Sequence, residues 1–141
     1  MPWSYLAMQS AFASAQAASD AFDAGAAVVA FATIGDPSVY STFSYLAAAV
    51  RGVHPHVEVE VVPGITAMQA LAAASGTPLV EGDGILALVP LKTGVERLAE
   101  VATIADTVAV YKPGRHCAAL KEYADARHTD AVVGVNVGTP E

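Results

Sequence analysis

Cysteine is almost missing from this chain. Cys117 is the single thiol in 141 residues, so no internal disulfide can staple the fold, and a reducing compartment suits it. Aromatic residues are scarce as well, at 7%, although 54% of the chain is hydrophobic, carried largely by Ala and Val. Such small side chains suit close packing of helices on a sheet. Positive charge is thin: seven Lys and Arg stand against fourteen Asp and Glu, for a net charge of −7. That leaves no basic stripe for DNA or RNA. No apolar run approaches the ~20 residues that span a bilayer, and the longest, Ala26 to Ala32, has the length of a buried strand. The N-terminus has no basic region followed by an apolar core, so no secretory signal is read. His54 and His56 form a His-x-His pair without a further ligand cluster nearby, and no metal site is expected. A cytoplasmic protein with neither nucleic-acid nor membrane partners is the expectation.

What is present is an alternation of helices and strands. Ser4 to Ala24 reads as a helix whose inward stripe is Tyr5, Met8, Phe12, Ala15, Ser19 and Phe22, with Gly25 as terminator. Ala26 to Ile34 is continuously apolar, as a parallel strand covered on both faces should be. A helix with Phe43, Leu46, Ala47 and Val50 inward follows and ends at Gly52. Val57-Glu58-Val59-Glu60-Val61 alternates as a strand with one wet face. Ile65 to Ser75 is the third helix, with Thr66 its candidate N-cap and Gly76 its close. After an irregular connector come a strand at Ile85 to Val89, a helix opened by the capping-box pair Thr93 and Glu96, and a strand at Thr107 to Tyr111. A last helix carries Leu120, Tyr123 and Ala124 inward, and a last strand spans Ala131 to Val137. This order predicts an α/β protein with largely parallel sheets and flanking helices. The expected lobes are residues 1–63 and 64–141. A two-stranded first lobe is marginal by itself, so the chain is expected to be a piece of something larger or to borrow parts from a partner.

In open α/β sheets ligands sit outside the carboxyl ends of the strands. Three turns lie there: Gly35-Asp36-Pro37, Pro63-Gly64-Ile65-Thr66 and Lys112-Pro113-Gly114-Arg115. Each leads towards a helix, where free N–H groups and the helix dipole favour an anionic group such as a carboxylate. Gly35 permits a tight turn or close approach, Asp36 supplies charge, and Ser38, Ser41 and Thr42 offer hydroxyls for capping or contact.

Taken together, five stretches resemble the tetrapyrrole methylases. They are Gly35-Asp36-Pro37-Ser38-Val39-Tyr40-Ser41-Thr42, Val62-Pro63-Gly64-Ile65-Thr66-Ala67, Pro78-Leu79-Val80-Glu81-Gly82, Tyr111-Lys112-Pro113-Gly114-Arg115 and Val137-Gly138-Thr139-Pro140-Glu141. The resemblance runs from about Ala24 to Glu141. Within the family, the Ser-Val-Tyr-Ser-Thr run is most similar to the precorrin-2 C-20-methyltransferase branch.

The resemblance implies two α/β lobes with S-adenosylmethionine in the cleft between them. It maps cofactor contacts onto Ile34, Gly35, Asp36, Val39, Thr66 and Ala67, with Tyr111 or Lys112 and Gly138 on the second lobe. It implies a corrin-pathway methyl transfer to C-20 of precorrin-2 or cobalt-precorrin-2. Lys112, Arg115 and His116 are the residues expected to hold substrate carboxylates. Asp36 and Tyr40 are the nearest candidates for a catalytic base, and neither is assigned.

The family's opening strand and its Gly-x-Gly-Pro-Gly-Asp loop have no match in Met1 to Gly25, and the last strands of its second lobe are not found. The expected protein is therefore a fragment truncated at both ends, as a homodimer or with a complementing fragment. The alternatives are another corrin-ring methylase, a diphthine-synthase-like enzyme, a non-catalytic remnant or half of a split enzyme.

Overall fold

The computed structural model describes residues 5–91 and 94–138, with residues 5–8 as backbone only. Ser4, Thr93 and the run Thr139-Pro140-Glu141, like the side chains of Tyr5 and Met8, lie outside the described residues. The chain divides into two compact units, Met1–Thr66 and Ala67–Glu141.

The first unit is built on two helices, α1 (Tyr5–Asp23) and α2 (Phe43–Val53). Small side chains make their contact close. Ala11, Ala15 and Ser19 recur every four residues on α1 and are buried, as are Leu46, Ala47 and Val50 on α2. Ala15, Leu46 and Val50 form the core, with Ala18, Phe22, Ala49 and Val57 packed around it. Of the expected stripe on α1, Ala15 and Ser19 are buried and Phe22 packs on the core, and one position is corrected. Phe12 is 59% exposed, and Ala11, one residue earlier, takes the inward place. Gly25 ends α1 as expected, at φ +93°. Its N–H donates to the Phe22 carbonyl and that of Ala26 to the Ala21 carbonyl, both at 2.9 Å. That bond pair is a Schellman motif, which favours glycine at the left-handed position. His54 follows α2 and rests against the Phe22 ring, centroid to centroid 5.5 Å.

The second unit contains α3 (Ala67–Ser75), β1 (Leu86–Pro90), α4 (Glu96–Val101), β2 (Thr107–Tyr111), a 3-10 turn at Gly114–His116 and α5 (Cys117–Arg127). Strands β1 and β2 pair in parallel, with Leu86 opposite Thr107 and Pro90 opposite Tyr111. A parallel pair needs a crossover connection, and α4 supplies it, burying Leu98. Val89 and Leu91 are the most enclosed side chains of the strand end, Leu91 at 1% exposure. Its N–H donates to the Tyr111 carbonyl at 2.8 Å, carrying the ladder one residue past β1. Helix α3 starts two residues later than expected. It closes at Gly76 (φ +67°) with Thr77 N–H on the Ala72 carbonyl. No side chain caps α4 among the described residues.

The α/β class and the parallel pairing hold, and β2 spans the five residues expected. Three other expected strands, at Ala26 to Ile34, Val57 to Val61 and Ala131 to Val137, are not strands in the structure. A strand is defined by its ladder, and among the described residues these segments have none. They expose apolar side chains, Val28 to 83% and Val133 and Val135 similarly. The alternation at Val57 to Glu60 nevertheless survives, both Val half-buried and both Glu exposed. No helix among the described residues is long and apolar enough to cross a membrane.

The core location of Leu91 gives a stability test. Leu91→Ala should cost about 2–5 kcal/mol, towards the lower end if the site collapses around the lost volume. Ile104→Ala, at a position 72% exposed, should stay within about 0.5 kcal/mol. Urea unfolding of both variants checks the contrast.

Candidate functional site

In the first unit, two of the three turns singled out in the sequence are joined. Asp36 to Val39 is a β-turn closed by the Val39 N–H on the Asp36 carbonyl at 3.2 Å, with Asp first and Pro second as such turns prefer. The Asp36 side chain folds back over it. Its Oδ1 accepts the Ser38 N–H at 2.8 Å, the bond of an Asx-turn, and also the Ser38 hydroxyl. The other oxygen, Oδ2, reaches across 28 residues to accept the Gly64 N–H at 2.8 Å. One carboxylate thus holds its own turn and the Pro63-Gly64 turn together.

The backbones meet closely at this point. A Cβ on Gly64 would collide with the Gly35 carbonyl oxygen, and Gly35 itself sits at φ +80°, so glycine is required at both positions on independent grounds. Ile34, just before, is fully exposed, while Val39 and Tyr40 are half-buried. Tyr40 adopts φ +50°, uncommon for a side chain of its size. Ser41 then serves the following helix, its Oγ accepting the Phe43 N–H at 3.1 Å. Thr66 is the last residue of the unit and is 7% exposed.

The Asp36 carboxyl is held below the ordinary aspartate value. The Ser38 hydroxyl has the largest effect, followed by the Gly64 and Ser38 amides, against a small opposing effect of desolvation. Donors that bond the charged form favour ionisation.

The second unit gathers the remaining residues differently. Tyr111 Oη accepts the Met68 N–H at 3.2 Å, so the strand-end tyrosine lies at the first turn of α3, where Ala67 stands. Lys112 follows at φ +54° and is exposed. Arg115 is exposed too, and its Nε donates to Nε2 of the half-buried His116 at 3.4 Å. Gly138 is exposed at φ +85°. Ser38 and Gly64 stood in the turns singled out by sequence, but neither was given a place in the cofactor site. Asp-x-Ser was a legible signal for the first, because it is an Asx-turn pattern, whereas the long-range bond to Gly64 left no local mark.

Residues 7–141 match the family model of the Tetrapyrrole (Corrin/Porphyrin) Methylases, a span that takes in most of α1 as well. A probable cobalt-precorrin-2 C(20)-methyltransferase of Methanocaldococcus jannaschii is 48% identical over 69 residues, 49% of this chain and 29% of that protein. A precorrin-2 C(20)-methyltransferase of Sinorhizobium is 32% identical over 128 residues, 90% of this chain and 51% of the relative. A cobalamin biosynthesis protein CobIJ of Mycobacterium tuberculosis is 35% identical over 104 residues, 74% of this chain and 20% of that protein. The chain spans about half or less of the length of these relatives.

The depressed Asp36 pKa sets a pH dependence whose sign follows from linkage. A lowered folded-state pKa gives stability that is full above the ordinary aspartate value and is lost as pH falls through the folded value. The Asp36–Gly64 bond should therefore persist through neutral and mildly acidic pH. An NMR titration of the Asp36 side-chain carbonyl should show a midpoint below 3.8, the ordinary aspartate value.

Proposed function

Because the chain belongs to the tetrapyrrole methylases, we propose that it acts in S-adenosylmethionine-dependent methylation of a corrin precursor, precorrin-2 or cobalt-precorrin-2 at C-20. The observation that carries this reading is the joining of the Gly35-Asp36-Pro37 and Pro63-Gly64-Ile65-Thr66 turns through Asp36 and Gly64. Family membership draws attention to those two turns, and the names of two relatives supply the reaction.

The residues present fit a cofactor of this kind. Gly35 and Gly64 let the main chains of the two turns meet without side chains between them, which leaves a backbone-lined surface there. Helix α3 opens directly after Thr66, and although its Met68 N–H already donates to Tyr111 Oη, the positive end of its dipole favours a carboxylate. In this reading the cofactor residues are Ile34, Gly35, Asp36, Val39 and Thr66 of the first unit and, of the second, Ala67, Tyr111, Lys112 and Gly138.

S-adenosylmethionine supplies a sulfonium methyl that an electron-rich ring carbon can take directly. The protein's part is then to bind, align and exclude water. Lys112, Arg115 and His116 offer cationic or donor groups to substrate carboxylates, Arg115 through its planar fork. Asp36 is engaged by three donors and held in its ionised form, which suits positioning. Tyr40 remains the other candidate for moving a proton.

Calorimetric titration of the chain with S-adenosylhomocysteine tests the reading, with one saturable site expected. Heats no larger than dilution would overturn it. Thr66→Val then separates a binding hydroxyl from a merely structural one. Losing one hydrogen bond costs roughly 0.5–1.5 kcal/mol, up to about tenfold in affinity. Losing a helix cap costs on the order of 1 kcal/mol of stability. Both affinity and melting temperature should fall, and unchanged affinity would remove the Thr66 side chain from the site.

A further inference from the structure

We infer that Asp36 is a positioning residue, whose carboxylate sets the separation between the Gly35 turn and the Gly64 turn so that their main chains together form the cofactor cradle. The inference rests on the proposed cofactor reading and deepens it, because it says how that site is held in shape.

Three observations converge on it. Both carboxylate oxygens already have donors, Oδ1 the Ser38 amide and hydroxyl and Oδ2 the Gly64 amide. A carboxylate so engaged has little acceptor capacity left for a proton from substrate. Second, the bond to Gly64 is a side-chain link between the two turns, and it joins groups 28 residues apart. Third, the turns approach so closely that a Cβ on Gly64 would strike the Gly35 carbonyl oxygen. Their separation is therefore limited from below by backbone contact and from above by the Asp36 bond. Pro37 and the Val39-to-Asp36 turn bond keep Asp36 itself in place. The depressed pKa agrees with this, since it keeps the acceptor charged under ordinary conditions.

The alternatives differ in what they expect of Asp36→Asn. Asparagine keeps the shape and can still accept at one oxygen. It can orient that oxygen to the Ser38 pair or to Gly64, and its amide group then faces a donor on the other side. A base acting on substrate would leave cofactor affinity and the Gly64 amide as they are.

The test uses the whole chain and two readouts. The first is the NMR shift and hydrogen exchange of the Gly64 amide without any ligand, and the second is the dissociation constant for S-adenosylhomocysteine. Asp36→Asn should move the Gly64 amide resonance, speed its exchange and weaken affinity by about tenfold or more, as loss of a charge-assisted bond implies. Gly64→Ala, which leaves Asp36 intact but forces the turns apart, should weaken affinity in the same direction. Far-ultraviolet circular dichroism shows whether each variant keeps its helices. The Gly64 amide must also shift in Asp36→Asn while amides of the α1–α2 core do not. An unchanged Gly64 amide, or unchanged affinity in folded Asp36→Asn, overturns the inference. If the native chain binds no S-adenosylhomocysteine, the cofactor reading fails and takes the cradle with it, while the Gly64 amide still decides whether the Asp36 bond holds the turns.

Discussion

The bond from Gly64 to Asp36 is the constraint on which the rest of the first unit's candidate site depends. It closes a long loop, and loop closure costs entropy that grows with the logarithm of its length. A solvent-accessible hydrogen bond does not offset that cost unaided. It forms because the loop contains α2, and α2 is already fixed against α1 through Leu46, Val50 and Ala15. Packing of a few small side chains thus brings two distant turns within reach, and the carboxylate sets their final spacing. The order of causes runs from core to loop to site, so damage to the α1–α2 contact should be felt at Gly35 and Gly64 although neither is a member of that core.

Local chemistry made some of this legible in the sequence. Gly25 and Gly76 were readable as helix ends because a left-handed residue after a helix has few alternatives to glycine, and both carry the expected backbone bonds. Helix α5 shows the limit of that rule. It ends the same way, with His128 at φ +50° and bonds to the Asp125 and Ala124 carbonyls, and no sequence signal marks a histidine for that place. Strand β2 was readable because Thr107 to Tyr111 is short, β-prone and bounded by Asp106 and Lys112-Pro113. On α1 the inward face was read correctly at Ala15, Ser19 and Phe22, and Phe12 was misplaced for a specific reason. In a helix this rich in Ala, large side chains look like the buried stripe, whereas close helix packing selects the small ones and leaves Phe12 outside.

The expected strands that did not form carry a different lesson. Apolarity and alternation report what a segment would do beside a neighbour, and they do not supply the neighbour. Val57 to Glu60 keeps its alternating exposure without a ladder, which shows side-chain preference and backbone pairing to be separable. Exposed Val28, Val133 and Val135 are what such segments look like unpaired, the kind of edge and face that folded proteins ordinarily cover.

The candidate site follows the same division between local and distant information. Gly35, Asp36 and Thr66 stood out because their turns follow expected strands and their stretches resemble those of the family, and the fold puts the first two beside Gly64. What the patterns did not reveal is that the most reactive-looking side chain of the set is already occupied. Asp36 has its charge bound by Ser38 and Gly64, and Tyr111 Oη accepts from the α3 backbone. In the first unit, polar side chains shape main chain, as Asp36 and Ser41 do. In the second, charge is concentrated at Lys112 to His116, on a turn where Lys112 sits at φ +54°. Under the proposed reading this assigns the two turn systems different chemistry. Close-approaching backbone would select a small, tightly held cofactor by shape, and exposed cations would select a larger polyacid by charge. Salt should then weaken the second kind of contact far more than the first, because exposed charge pairs are screened within about 10 Å at 0.1 M ionic strength and short main-chain hydrogen bonds are not.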